Sequence, residues 1–219
     1  RISIFDFRDT RSSTVAAAIL GDKQLPGVLL VDRYNGYNKA PCNLQYCYAH
    51  LLRNLTDMEK EFPDNKEVGK FVYTVAPLLA ATMSLRGQQI SDHAYYRQAK
   101  ILAVQIRHAM NADSQHPGIR AYQDIFRTNK HRLYHWVKDR RVPADNNLAE
   151  RDLRPTVIAR KVSFGSQSVV GAKTRGILTT VLITLKKQYP DDYHQRFKAA
   201  LDHLALEPHA DPYDSLFPP

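Results

Sequence analysis

A chain of 219 residues that is 43% hydrophobic is long enough to bury a core, as one domain or as a domain carrying an insertion, and too apolar for general disorder. Lys and Arg outnumber Asp and Glu by 31 to 22, and the resulting charge of +9 points to a polyanionic partner such as nucleic acid or an anionic membrane surface. Two cysteines, Cys42 and Cys47, are too few for a disulfide framework, and no apolar run approaches the roughly 20 residues that cross a bilayer, so the expectation is a cytoplasmic protein with no membrane partner.

In chain order, residues 2–7 (Ile-Ser-Ile-Phe-Asp-Phe) are aromatic and β-branched and read as a strand. Ser12 or Ser13 can cap a helix reaching about Leu20, where Gly21 and Asp22 supply a stop. Pro26-Gly27 marks a turn, and Val28-Leu-Leu-Val31 is a continuous apolar run suited to a strand buried on both faces. Asp32 follows at once. Ligands of open α/β sheets gather at the carboxyl ends of strands, so an Asp held there suits a metal ligand, whereas the plainer reading makes it a cap on the turn at residues 33–36.

Cys47, His50 and Arg53 or Asn54 share one side of a helix expected to begin near Tyr46. Two cysteines and a histidine invite a zinc reading, but the set lacks a fourth ligand and the paired spacing of a structural site, which leaves Cys47 as a small packed apolar residue. Residues 51–137 are helical in pattern, at 51–62, 66–84, 92–110 and 118–136, with breaks at 62–65, 86–87 and 114–118. Pro77 is expected to kink or split the second of these helices. The aromatics of this region read as the core of a helical layer rather than a base-stacking platform. Basic residues thicken at 130–132 and 138–141.

Residues 141–161, Arg-Val-Pro-Ala-Asp-Asn-Asn-Leu-Ala-Glu-Arg-Asp-Leu-Arg-Pro-Thr-Val-Ile-Ala-Arg-Lys, are the stretch richest in chemistry. Asp145 or Asn146 can accept a hydrogen bond from the free amides of a first helical turn. At about 100° per residue, Asn146, Asn147, Glu150 and Arg154 then fall on one side of that helix, with Arg151 at its flank. Such a face could hold a metal-binding carboxylate beside phosphate-binding arginines; an exposed Glu150–Arg154 helix pair is the plainer alternative. Residues 156–164 read as an extended piece carrying Arg160 and Lys161. The loop at 165–168 can cap a long helix at 169–188, with Lys173 and Arg175 in its first turns. Cations there oppose the helix dipole, so a phosphate is the obvious partner, ordinary surface charge being the alternative. An amphipathic helix near 193–204 and a loose end complete the chain.

Three blocks occur together: Val31-Asp-Arg-Tyr-Asn-Gly-Tyr37, Cys47-Tyr-Ala-His50-Leu-Leu-Arg53, and Asn146-Asn-x-Ala-Glu-Arg-x-Leu-Arg-Pro155 followed by Arg160-Lys161 and Gly165-x-x-Ser168-x-x-Gly171. In type and order they resemble the insertion-sequence-66 family of DDE transposases. What the resemblance implies is an α/β, RNase H-like core, incomplete at its N-terminus, with a mostly helical insertion. The implied boundaries are 1–45 for the first part of the core, 46–140 for the insertion, 141–190 for the catalytic Glu helix and the helix after it, and 191–219 for a tail.

Carried over residue by residue, Asp32 is the second metal-binding acid and Glu150 the third. Arg151, Arg154, Arg160, Lys161, Lys173 and Arg175 are implied DNA contacts, with Cys47, His50, Arg53, Asn146 and Asn147 in support. The implied cofactors are two ions of Mg2+ (or Mn2+), which can activate an attacking oxygen and stabilise a leaving one when DNA is cut and a 3′ end is joined to a target. Implied partners are transposon-end and target DNA, further copies of the chain on that DNA, and other proteins of the same element. The family's first aspartate lies on a strand expected before this sequence, and neither Asp6 nor Asp9 replaces it, so the chain alone is expected to be inactive. A non-catalytic DNA-binding or regulatory remnant is the competing function, and a helical protein-interaction module is a third.

Overall fold

The computed structural model describes residues 2–10, 12–163 and 165–217. They form two compact units, residues 10–147 and residues 1–9 with 148–219. The secondary structure is mostly helical, with one two-stranded parallel sheet among the described residues. Of the expected α/β architecture, the strand at 28–31 is present.

In the unit of residues 10–147, helix α1 (Ser13–Leu20) starts where Ser12 Oγ accepts the Thr14 N–H at 3.3 Å and ends at Gly21, whose φ of 72° suits a residue without Cβ. Strand β1 (Val28–Val31) runs parallel to β2 (Asn43–Tyr46), with Val28 opposite Asn43 and Val31 opposite Tyr46. Strand β2 is not marked as one by its sequence, since Asn43 and Gln45 interrupt its apolar run. Gln45 is nevertheless fully buried: its Oε1 accepts the His135 N–H at 2.9 Å and its Nε2 donates to the Leu133 carbonyl at 3.2 Å. A buried amide with its partners made costs little, so a polar residue can occupy the sheet centre.

Helices α2 (Tyr48–Glu61), α3 (Lys66–Leu85) and α4 (Asp92–Asn111) form the helical layer. Asn65 Oδ1 accepts the N–H groups of Glu67 and Val68 to open α3, and Ser91 Oγ accepts the Ala94 N–H to open α4. Val68, Val72, Val75 and Leu79 lie buried on one stripe of α3, against a core that includes Leu51 and Leu55 of α2 and Tyr95 and Ile106 of α4. Burying each large side chain completely stabilises the fold by about 1.5–3 kcal/mol.

Contrary to the expectation of no membrane-length segment, α3 is long and apolar enough to cross a bilayer, with a mean hydropathy of 1.4 over its best window. Its single buried stripe is the pattern of a core helix. Pro77 lies within α3 and does not split it.

The helix expected at 118–136 is instead α5 (Pro117–Thr128), a turn at 130–132 and α6 (His135–Lys138). The interruption has a physical cause at Leu133, whose carbonyl is taken by side chains: Tyr48 Oη at 2.8 Å and Trp136 Nε1 at 2.9 Å join Gln45 there.

In the unit of residues 1–9 and 148–219, the elements are α7 (Asn147–Val162, whose first residue falls in the other unit), α8 (Val169–Gln188), α9 (Tyr193–Leu206) and α10 (Pro212–Leu216). Among the described residues, the strand expected at 2–7 pairs with no other strand. Its backbone bonds to side chains of α8 instead: Ser3 N–H to Thr184 Oγ1 at 3.2 Å and Phe5 N–H to Thr180 Oγ1 at 2.9 Å. The close approach explains Gly176 in the middle of α8, since a Cβ there would stand 2.8 Å from the Phe5 carbonyl oxygen.

The extended piece expected at 156–164 is also corrected. Residues 156–162 continue α7 through Pro155, and Phe164 lies outside the described residues. A proline removes one hydrogen bond but leaves the following residues free to stay helical. The helix then closes where the Ser163 N–H reaches the Ala159 carbonyl and the Gly165 N–H reaches the Arg160 carbonyl, with Gly165 at φ 95°.

Candidate functional site

In the unit of residues 10–147, the carboxyl end of the small sheet gathers several of the expected residues. The Cys47 N–H donates to the Val31 carbonyl at 2.9 Å, directly before Asp32, and the Tyr48 N–H donates to the Ala144 carbonyl at 2.9 Å. Asn146 N–H in turn donates to Cys47 Sγ at 3.4 Å. Cys47 thus sits between the end of β1 and the segment that leads into α7. It is buried, and burial pushes its thiol pKa up, against a smaller lowering by the Asn146 N–H. This is the packed cysteine that the spacing suggested.

Asp32 is half-buried, and one of its carboxylate oxygens accepts the Tyr34 N–H at 3.3 Å. The turn-capping role is therefore filled, and among the described residues the other oxygen takes no hydrogen bond. Asp145, rather than Asn146, caps the start of α7: its Oδ1 accepts the Asn147 N–H at 2.9 Å. Asn146 Oδ1 is buried without a hydrogen-bond partner among the described residues. His50 is half-buried, whereas Arg53 and Asn147 are exposed.

Glu150 lies in the first turn of α7 and is half-buried. Among the described residues no three His, Cys, Asp or Glu side chains converge into a group that could hold a metal ion.

The other unit carries a cleft of about 720 Å³ between residues 5–9 and the start of α8. Arg160, Lys173 and Arg175 all line it, joined by Arg8, Ser166 and Ser168. Ser168 Oγ accepts the Gly171 N–H at 3.0 Å and so caps α8, whose first turn has no acid. Four cations face two carboxylates, Asp6 and Asp9, and Asp6 is engaged by Arg8 through Nε–O contacts of 3.0 and 2.9 Å. Arg175 reaches only the Ser163 hydroxyl, at 3.5 Å, and Arg160 and Lys173 have no ion-pair partner among the described residues. Cations that outnumber the carboxylates beside a helix N-terminus make a favourable site for an anion. Arg151, Arg154 and Lys161 are exposed and line no part of this cleft.

A network that the sequence did not announce ties the N-terminal segment to α7 and α8 outside this cleft. Asp152 on α7 accepts a hydrogen bond from Ser3 Oγ at 2.8 Å and pairs with Lys187 of α8, whose Nζ also donates to Ser3 Oγ at 2.5 Å. Burial alone would raise the Asp152 pKa, but the hydrogen bonds from Lys187 and Ser3 bring it below the ordinary carboxylate value. No spacing rule links residues 3, 152 and 187, so only the folded chain reveals the group.

Fold and site together define a mostly helical protein with a basic cleft suited to an anionic ligand. The chain matches the Transposase IS66 family over residues 1–174, and it belongs to that family. It is similar to uncharacterised proteins of Sinorhizobium fredii (strain NBRC 101917 / NGR234). These include y4jD, 25% identical over 203 residues that cover 85% of this chain and 39% of the relative, and y4qI, 24% identical over 203 residues that cover 83% and 36%. A third, y4hP, is 24% identical over 185 residues, covering 73% and 34%. The chain thus spans less than two fifths of the length of these curated relatives. No solved structure matches it significantly.

Proposed function

We propose that this chain is a catalytic region of a DDE transposase, which cuts DNA at insertion-sequence ends and joins the freed 3′ end to target DNA. On this reading residues 1–45 and 141–190 belong to an RNase H-like core, residues 46–140 are its helical insertion and 191–219 its tail. Asp32 and Glu150 are the second and third acids, and Mg2+ or Mn2+ is the cofactor class. The chain works in the cytoplasm on transposon-end and target DNA, as a homo-oligomer and with other proteins of the same element.

The observation that carries the reading is the convergence of Arg160, Lys173 and Arg175 in one cleft, in a chain of a transposase family. Each cation can neutralise a backbone phosphate, and Arg160 and Arg175 can do so through a planar fork. Cys47 and Asn146 support Asp32 by fixing the end of the strand before it. A second reading, DNA binding without chemistry, is favoured by the same cleft, whose cations can hold phosphates with no acid taking part.

Binding of duplex DNA, followed by fluorescence anisotropy at several salt concentrations, tests the cleft. Arg160→Ala and Lys173→Ala replace exposed side chains, so the fold should survive. Each is expected to weaken binding and to reduce the slope of log K against log salt by about 0.9. Unchanged affinity and slope in both variants would remove the cleft from the DNA interface.

A further inference from the structure

We infer that the cleft takes an unpaired nucleotide of a DNA strand, with its phosphate on Arg160, Lys173 and Arg175 and its base against Phe5 and Phe7. This rests on the DNA-binding reading of the same cleft and specifies which form of DNA enters it.

Three observations lead there. The first is size: about 720 Å³ lies within the roughly 300–1,000 Å³ of pockets that enclose small ligands, whereas a duplex, whose major groove alone is about 12 Å wide, cannot be enclosed by it. The second is chemistry. Phe5 and Phe7 line the same cleft as the cations and are half-buried, so a flat apolar partner and an anionic partner are accommodated side by side. A nucleotide combines the two, and the pairing of a cationic groove with aromatic rings is the general means of holding single strands. The third is rigidity. Phe5 is fixed through its N–H to Thr180, and Phe7 packs beside Gly176, with ring atoms 3.1 and 3.6 Å from where a Cβ of that glycine would stand. The backbone that carries Phe5 and the ring of Phe7 are therefore held in place before any ligand arrives, and less conformational freedom is lost on binding.

Asp6 and Asp9 do not close the cleft to a phosphate. Asp6 is already paired with Arg8, and Asp9 is outnumbered by Arg160, Lys173 and Arg175.

The test compares two labelled DNA probes with the full chain at one salt concentration: a blunt duplex, and the same duplex with a three-nucleotide single-stranded overhang carrying 2-aminopurine. The overhang is expected to bind about tenfold more tightly, with a change in 2-aminopurine fluorescence on stacking. Phe5→Leu should abolish both the preference and the fluorescence change while leaving the blunt affinity unaltered. Leu keeps apolar volume at this position, and Phe7→Leu gives a second variant should the first fail to fold.

Equal affinity for the two probes, with binding still weakened by Arg160→Ala and Lys173→Ala, overturns the inference and leaves the cleft as a duplex-phosphate site. Binding of both probes that is indifferent to Arg160→Ala and Lys173→Ala overturns the underlying DNA reading of the cleft and the inference with it.

Discussion

Replacing Asp152 by Ala leaves the Lys187 ammonium with only the Ser3 hydroxyl beside it. Exposed ion pairs contribute about 0–1 kcal/mol, and breaking a buried one by removing a single partner costs about 3–5 kcal/mol. Both side chains here are 18% exposed, which places the expected loss nearer the buried limit, at about 2–3 kcal/mol. Lys187→Met leaves the converse defect, an uncompensated carboxylate. The double variant leaves neither charge, so it should be less destabilised than the sum of the two by at least about 1 kcal/mol.

Urea denaturation followed by circular dichroism gives all four stabilities. The folded-state pKa of Asp152 lies below its ordinary value of 3.8, so its contribution is fully present well above pH 3.8 and is lost as the pH falls through the lower folded value. The deficit of Asp152→Ala should therefore shrink in acid. Additive single-variant effects, or a deficit that grows as the pH drops, would refute the pairing of Asp152 with Lys187 as a stabilising contact.

Three further outcomes follow from the packing. Gly176→Ala places a Cβ 2.8 Å from the Phe5 carbonyl oxygen; despite the better helix propensity of Ala, it should destabilise by about 1–2 kcal/mol, read from the same urea curves. Arg140 donates to the carbonyls of Ile90 and Gln88 and to Asp92 Oδ1, with its guanidinium 5.1 Å from the Tyr95 ring centroid. Arg140→Ala should cost about 2–3 kcal/mol in thermal or urea unfolding, and Lys should recover only part, since it lacks the fork. Buried Cys47, with its raised pKa, should resist a disulfide reagent at pH 8 that modifies the less buried Cys42, and mass spectrometry of digested protein distinguishes the two.

Much of the helical order was legible because it depends on neighbours in sequence. The caps at Ser12, Asp145 and Ser168 and the breaks near residues 62–65 and 86–87 each follow from a few adjacent residues. The misses share the opposite property. Strand β2 depends on a buried Gln45 satisfied by residues 133 and 135, and the break after α5 depends on side chains from residues 45 and 48. Residues 2–7 have strand composition, but their partners are threonines on a helix 175 or more residues away. Pro155 misled in another way, since a proline signals a boundary locally and the structure carries α7 through it.

The candidate site divides along the same line. Lys173 and Arg175 were marked by their opposition to the helix dipole, a local electrostatic conflict that sequence displays. The grouping of both with Arg160, and the exclusion of Arg151, Arg154 and Lys161, depend on how α7 and α8 place their faces. Phe5, Phe7 and Asp152 had no motif to mark them.

The most direct measurement is strand cleavage of DNA carrying the insertion-sequence ends by the full-length product that contains this chain, with Mg2+ or Mn2+ supplied, beside the variants Asp32→Asn and Glu150→Gln. Each change removes a carboxylate charge at nearly constant shape. Both variants are expected to bind the ends as the parent protein does and to give no cleaved strand. Cleavage retained in either variant at the parent rate would contradict its assignment as a catalytic acid.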